Sequence, residues 1–151
     1  LFRSASELLP ISVGDVKDAG RLLGVIDDVA DAGKQVVKHG DDLKSVKGVE
    51  GIYEFQDATK AGTTYVGQSD NLGRRLGEHV TETGKLAPGS TVTVTPVPGG
   101  KTAREVAEQK RINQLGGTAN RPGSQTSNQR NPIGEKRRKK LEEQYGSLNE
   151  P

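Results

Sequence analysis

Apolar and polar residues alternate over three short stretches in the middle of the chain, a pattern typical of half-buried β-strands. A short polar loop separates the first two stretches, so they are predicted to form an antiparallel hairpin. Two prolines end the third stretch or place it at a sheet edge. The three predicted strands comprise residues 49–55, 63–67 and 90–96.

Apolar residues recur at helical spacing after the second of these strands. Leu72, Leu76 and Val80 form one stripe, in a predicted helix that is capped by one of residues 69–71 and runs to about Glu82. The stripe predicts an amphipathic helix that packs against the sheet.

A second helix is predicted after the third strand. Thr102 and Glu105 have the spacing of a capping box, which marks its start, and consecutive glycines at 116 and 117 mark its end. Residues 135–145 predict a further short, basic helix. The predicted fold class is α+β, sandwich-like, with a small three-stranded antiparallel sheet flanked by helices and a helical N-terminal extension.

Residues 1–47 are predicted to be helical and weakly amphipathic, with glycines that shorten the helices. They are interpreted as a linker or docking segment. The alternative is that Leu22, Ile26 and Val29 cover an apolar side of the small sheet. The predicted organisation is a helical segment in residues 1–47, a core domain in residues 48–134 and a basic C-terminal helix or tail in residues 135–151.

Composition narrows the possible chemistry. Only 30% of the 151 residues are hydrophobic and 3% aromatic, which predicts a small core. The absence of cysteine excludes disulfides, zinc–thiolate sites and a cysteine nucleophile. No apolar run approaches the roughly 18 residues of a membrane span, so no membrane insertion is expected. The chain starts at Leu1 and has no methionine, so it is expected to be a fragment of a longer protein.

Basic side chains are concentrated in the last third of the chain. Residues 101–151 carry 11 basic and 6 acidic side chains, whereas residues 1–50 carry 7 and 9. Residues 137–140 are four consecutive cations. Such a run suits a polyanion, because each neutralised phosphate releases counterions. Charge alone leaves open the alternative of a solvated helix face.

Two tripeptides and their spacing carry a family resemblance. Gly51-Ile52-Tyr53 is followed, twelve residues after the first tyrosine, by Tyr65-Val66-Gly67, and this pair resembles the signature of the GIY-YIG nucleases. An arginine, a histidine, a glutamate and an asparagine follow in the order found in that family. The resemblance covers roughly residues 48–121, so residues 48–134 are interpreted as a GIY-YIG-like nuclease domain.

The resemblance implies a metal-dependent endonuclease that hydrolyses phosphodiester bonds, with DNA favoured over RNA and Mg²⁺ or Mn²⁺ as the cofactor. Glu108 is the implied metal ligand and Arg75 the implied catalytic arginine. One tyrosine is implied as general base, with Tyr53 favoured for that role and Tyr65 for orienting water or phosphate. The implied catalytic residues are Tyr53, Tyr65, Arg75, His79, Glu108 and Asn120. The residues expected to contact nucleic acid are Gln68, Arg74, Lys110, Arg137, Arg138, Lys139 and Lys140.

Helix spacing bears independently on two of these residues. Arg75 flanks the apolar stripe of its helix, whereas Arg74 is predicted to point to solvent. Glu108 shares the inward face of the second helix with Ile112, so its carboxylate needs a partner. That partner is a divalent metal or a salt bridge within the helix, to Arg104 or Arg111.

Simpler interpretations remain for three other residues. Tyr53 and Tyr65 could be core residues with their hydroxyls at the rim. Asn120 could be a turn residue after the second helix.

Gln68 stands where several family members have lysine, which removes a cation from the expected phosphate site.

The flanking sequence suggests a biological role. Residues 1–47 and the stretch Asn128–Ile133 resemble segments around toxin domains at the ends of large secreted bacterial proteins. The expected role is an antibacterial effector, delivered into the target-cell cytoplasm and neutralised by an acidic cognate immunity protein. The alternatives are a catalytically silent nucleic-acid-binding module and a fragment of an intracellular DNA repair or homing-type nuclease.

Overall fold

The computed structural model describes residues 35–38 and 41–151, with side chains from residue 43 onward. Within these residues it contains four strands, three α-helices, a 3₁₀ helix and a π-helical turn. In chain order they are β1 (Gln35–Lys38), a 3₁₀ helix (Asp41–Val46), β2 (Gly51–Gln56), β3 (Thr64–Ser69), α1 (Leu72–Glu78), a π-helical turn (His79–Thr83), β4 (Thr91–Pro96), α2 (Lys101–Gln114) and α3 (Glu135–Tyr145).

The antiparallel sheet of β2, β3 and β4 confirms the three predicted strands and the α+β class. A fourth strand, β1, pairs antiparallel with β4 and gives the order β1-β4-β2-β3. The helix predicted through Gln35–Lys38 is therefore wrong. Two β-branched valines favour a strand there, and β4 offers an unpaired edge. The rest of the predicted helical extension, residues 1–34 and 39–40, lies outside the described residues.

The helix α1 begins at the predicted place but ends early. Asn71 caps it, because its Oδ1 accepts hydrogen bonds from the backbone N–H of Arg74 at 3.2 Å and of Gly48 at 2.8 Å. The α-helix stops at Glu78, before the predicted end. The chain then continues to Thr83 as a π-helical turn. Such turns are rare and occur frequently at functional sites.

The start of α2 differs from the predicted capping box. Gly100 is the N-cap, at φ 94°, and no side chain in the described part of the chain caps the helix. Thr102 and Glu105 instead face α3: Arg137 donates to the Thr102 hydroxyl at 3.0 Å and pairs with the Glu105 carboxylate. The two side chains do lie on one face of the helix, as their spacing implies, but they bind a distant arginine instead of capping the helix.

The sheet carries α1 on one face and α2 on the other. Tyr53 and Phe55 pack on the α1 side, whereas Glu54, between them, accepts two hydrogen bonds from Arg111 of α2. The predicted stripe is confirmed, since Leu72 and Leu76 are buried. The core on this face comprises Val46, Val49, Tyr53, Phe55, Leu72, Leu76, Leu86, Val92 and Val94.

The C-terminal segment is an integral part of this domain. A second apolar cluster joins Val106 of α2 to Ile133 and Leu148, with Leu141 and Tyr145 packed against it. The predicted basic helix is confirmed as α3, but the residues after it dock against the domain instead of forming a free tail. None of the described helices is long and apolar enough to cross a membrane.

Candidate active site

The two signature tripeptides lie side by side, with Tyr53 of β2 paired with Gly67 of β3. A Cβ atom at Gly67 would lie within 3.0 Å of the Tyr53 ring, and one at Gly51 would lie within 3.0 Å of the Thr95 carbonyl oxygen. Both glycines are therefore required by close packing. Gly67 leaves the space that the Tyr53 phenol occupies, and Gly51 allows β2 to approach the backbone of β4 closely.

The Tyr53 hydroxyl lies 2.7 Å from Nε2 of His79, which is fully buried. The other ring nitrogen, Nδ1, lies 2.9 Å from the Thr83 hydroxyl oxygen. Because that hydroxyl donates to the His79 carbonyl, Nδ1 must donate to Thr83, and Nε2 accepts from Tyr53. Burial, with a further contribution from the Arg75 charge, lowers the pKa of His79 to about 4, so the ring is neutral near pH 7.

Burial raises the pKa of both phenols above their ordinary value. The neighbouring Tyr65 adds to this effect at Tyr53, and the Glu108 carboxylate adds to it at Tyr65. The Arg75 guanidinium opposes it at both tyrosines. The structure thus brings residues of β2, β3, α1 and α2 into one electrostatic cluster. Tyr65 is the more exposed of the two phenols.

Arg75 and Arg74 differ as the helix phase predicted. The Arg75 side chain is 34% exposed and donates to Glu78 at 2.9 Å, whereas the Arg74 side chain is 53% exposed and pairs with the other oxygen of Glu78. Both line a polar groove of about 350 Å³ together with Gln68 and Arg104. Three guanidinium groups therefore border this groove.

The salt bridges that could have explained Glu108 do not form. Arg104 is 2.6 Å from Glu50, and Arg111 is 2.7 Å from Glu54. Within the described residues, the Glu108 carboxylate makes no hydrogen bond or ion pair, although the residue is only 9% exposed. This removes the simpler of the two interpretations of Glu108.

Glu108 lines a pocket of about 520 Å³ together with Tyr65 and Glu105. Burial, followed by the charge of Glu105, raises the pKa of Glu108 to about 8. No group of three His, Asp or Glu side chains in the described part of the chain could hold a metal. The paired carboxylates of the pocket do fit a hydrated Mg²⁺ or Mn²⁺, which keeps several waters and binds through one or two carboxylates.

Cations that the sequence did not single out surround this pocket. Lys101 and Arg130 are exposed at its rim, and the Lys85 ammonium lies 5.0 Å from the centre of the Tyr65 ring. Lys85 is also 3.3 Å from Asp57. Burial opposes ionisation of Asp57, but hydrogen bonds from neighbouring hydroxyls outweigh it and lower its pKa to about 2. No local motif marks these residues, because they meet only in the folded chain.

Asn120 is not brought to the site. It is exposed in the turn that follows α2 and does not line the Glu108 pocket. Asn128 lies there instead: its side chain accepts from the Val66 N–H at 2.9 Å and donates to the Val66 carbonyl at 2.7 Å. A side-chain amide thus pairs with the free edge of β3, as another strand would. Helical spacing could not reveal this role.

The residues expected to bind nucleic acid occupy several environments. Gln68 lines both pockets and accepts a hydrogen bond from Arg104 Nε at 2.9 Å, so Arg104 supplies a cation at this position. Arg74 borders the groove described above. Lys110 lies beside Gly146 and lines neither pocket.

The basic run of α3 is also divided. Arg137 reaches Glu105 at the pocket, whereas Arg138 donates to the Ile133 carbonyl at 2.7 Å and is partly buried. Lys139 and Lys140 are exposed. Only part of the run is therefore available to a polyanion without rearrangement.

Comparisons of the chain with protein-family models, with curated proteins and with solved structures found no match.

Proposed function

We propose that this chain is a metal-dependent endonuclease that hydrolyses phosphodiester bonds in nucleic acid, with DNA as the favoured substrate. The observation that carries the proposal is Glu108, a buried carboxylate without a partner among the described residues, which shares a pocket with the Tyr65 phenol. Phosphodiester hydrolysis needs an activated water, positive charge at the non-bridging oxygens and stabilisation of the leaving oxygen.

Glu108 would hold Mg²⁺ or Mn²⁺, which when bound supplies positive charge at the phosphate. The rim cations Lys101 and Arg130 suit the neighbouring phosphates of the backbone, because contacts of this kind position a nucleic acid without reading its sequence. The buried carboxylates of the pocket suit the metal ion, and the exposed cations at its rim suit the phosphates of the substrate.

Tyr65 is the better candidate for the group that accepts a proton from water. Its phenol borders the pocket, whereas the Tyr53 hydroxyl is buried and donates to His79. A cation bound to Glu108 would offset the negative charge that helps to raise the pKa of Tyr65. The Arg75 guanidinium would still lower that pKa. The roles expected from the sequence are therefore exchanged in this proposal: Tyr65 acts on water, and Tyr53 with His79 positions the neighbouring groups.

Arg75 would stabilise negative charge that develops on the phosphate. Its guanidinium is partly exposed, anchored by Glu78 and close to both phenols. A cation held in this way needs little rearrangement as charge develops. Arg104, held by Gln68 and Glu50, adds a second fixed guanidinium in the adjoining groove.

The biological role that we propose is an effector delivered into competing bacteria. It rests on the flanking sequence and implies an acidic immunity protein that covers the exposed cations around the pocket and on α3. Expression of the chain inside a bacterial host should be toxic, and the Glu108→Gln variant should be harmless at equal protein level. Equal toxicity of the two forms would exclude nuclease activity as the cause.

Incubation of the purified chain with supercoiled plasmid and with total RNA, each with Mg²⁺, Mn²⁺ or EDTA, tests the proposed activity. We expect nicking or linearisation of plasmid with either metal and none with EDTA. Cleavage of RNA alone would correct the favoured substrate. Tight binding to both nucleic acids without cleavage would support the alternative of a catalytically silent binding module.

A further inference from the structure

Two buried carboxylates lie on one face of α2. Glu105 is 7% exposed and Glu108 is 9% exposed, and both line the same pocket. Their separation by three residues places them about 5–6 Å apart at Cβ, as neighbours on the helix surface. The sequence resemblance pointed to Glu108 alone.

Among the described residues, Arg137 is the one cation that forms an ion pair with either carboxylate. Glu108 has no hydrogen bond or ion pair among the described residues, and Oε1 of Glu105 is buried without a hydrogen bond. Arg137 Nη1 lies 2.8 Å from that oxygen, but the contact is not aligned as a hydrogen bond, and the Arg137 side chain is 45% exposed. Burying two carboxylates costs solvation free energy, and one half-exposed guanidinium compensates for only part of that cost.

The two arginines of α2 itself do not supply the missing charge. Arg104 and Arg111 are held by Glu50 and Glu54, on the side of α2 that faces the sheet. The unpartnered, nine-tenths buried Glu108 and the poorly bonded oxygen of Glu105 therefore line a polar pocket that lacks a buried cation among the described residues.

We propose that Glu105 is a second ligand of the divalent cation held by Glu108, and that it exchanges Arg137 for this cation. This inference rests on the proposed function, because it concerns the same site. A hard cation such as Mg²⁺ binds carboxylate oxygens and fills its remaining positions with water or phosphate. Arg137, no longer opposed by Glu105, then stands at the pocket with its guanidinium free for a phosphate of the substrate.

The exchange makes a prediction of opposite sign for the two partners. Glu105→Gln removes a ligand and should weaken Mn²⁺ binding on the order of tenfold or more. Arg137→Gln removes a cation that competes for Glu105 and should strengthen Mn²⁺ binding severalfold. Lys139→Gln removes the same charge from an exposed position of α3 and should leave the affinity near that of the wild type.

Titration of Mn²⁺ into the full chain, followed by electron paramagnetic resonance of the free ion and by calorimetry, tests the proposal without nucleic acid. The expected order of affinity is Arg137→Gln, then wild type and Lys139→Gln, then Glu105→Gln, with Glu108→Gln weakest. Thermal unfolding of each variant shows whether it is folded. Wild-type affinity in Glu105→Gln, or no difference between Arg137→Gln and Lys139→Gln, overturns the proposal, as does a wild type that binds no Mn²⁺.

The outcome is separable from that of the proposed function. If the affinities follow the expected order but no nucleic acid is cleaved, the Glu105 assignment stands and the nuclease proposal fails. If the wild type cleaves DNA while Glu105→Gln binds Mn²⁺ normally, the nuclease proposal stands and Glu105 is not a ligand.

Discussion

At the scale of single residues, the Tyr53 ring packs directly against the backbone of Gly67. The Tyr53 ring occupies the space that any side chain at position 67 would need. This contact gives a physical reason for the glycine of the second tripeptide, which sequence spacing can identify but cannot explain. Because this packing positions the Tyr53 ring, it also positions the hydroxyl that hydrogen-bonds to His79.

We expect Gly67→Ala to displace the Tyr53 ring and to lower the free energy of unfolding by about 1–3 kcal/mol, a typical cost of overpacking. Gly77→Ala is the matched control, because its Cβ would meet no atom within 4 Å in helix α1. That variant should gain up to about 1 kcal/mol from helix propensity. Urea unfolding measures both, and equal changes would contradict the proposed contact.

The two adjacent arginines of α1 give a second test. Arg75→Ala should lower the cleavage rate about a hundredfold or more, as expected for loss of a group that stabilises developing charge. Arg74→Ala should change little beyond affinity, because its side chain is directed to solvent. Steady-state kinetics on plasmid would separate these effects, and the reverse ranking would mean that Arg74 is the catalytic arginine.

Glu108 should make the stability of the metal-free protein depend on pH. Its folded pKa of about 8 exceeds the ordinary 4.5, so its contribution to stability is fully present below about pH 4.5 and is lost as pH rises to 8. Glutamine cannot ionise. Glu108→Gln should therefore gain on the wild type by up to about 1.4 kcal/mol per pH unit across this window. Urea unfolding in EDTA at pH 5 and pH 8 measures this gain, and a difference that does not change with pH would argue against a buried, unpaired carboxylate.

Some residue roles were accessible from sequence and others were not. The helix phase correctly separated Arg75 from Arg74, and it placed Glu108 on an inward face. That Arg104 and Arg111 leave Glu108 without a salt bridge among the described residues could not be predicted, because they pair instead with Glu50, just before β2, and Glu54, within it. Asn128 was missed for a similar reason: its partner is the backbone of an edge strand.

At the scale of elements, the small sheet has a partner at each edge that the sequence did not predict. Strand β1 covers one edge, and the loop around Asn128 covers the other. Alternation of polar and apolar residues identified β2, β3 and β4. It could not identify β1, since its four residues lie in a segment whose apolar positions also fit a weak helix.

The C-terminal residues stabilise the opposite side of α2. Leu148 is fully buried against Val106 and Ile133. Leu148→Ala should cost about 2–5 kcal/mol of unfolding free energy, the usual range for a buried leucine. Leu141→Ala, at a partly buried position of the same cluster, should cost less. Thermal and urea unfolding measure both. A Leu148→Ala variant as stable as the wild type would contradict the docking of the C-terminal residues against α2.

At the scale of the whole molecule, the candidate site lies at the β3 edge, where both faces of the sheet are within reach. Aromatic rings approach from the α1 face, and the carboxylates of α2 approach from the other. Exposed cations on the rim and on α3 surround the opening. Composition predicted the excess of basic charge, but only the fold shows which cations are already paired and which face solvent.

The most direct test of the central claim is the rate of phosphodiester cleavage by Glu108→Gln, measured under saturating Mg²⁺ beside the wild type. Glu143→Gln is the control, because it removes the same charge from an exposed position of α3. We expect the wild type and Glu143→Gln to cleave at similar rates and Glu108→Gln to show no cleavage above background while remaining folded. Cleavage by Glu108→Gln near the wild-type rate would contradict the assignment of this buried carboxylate as the metal-binding centre of a nuclease.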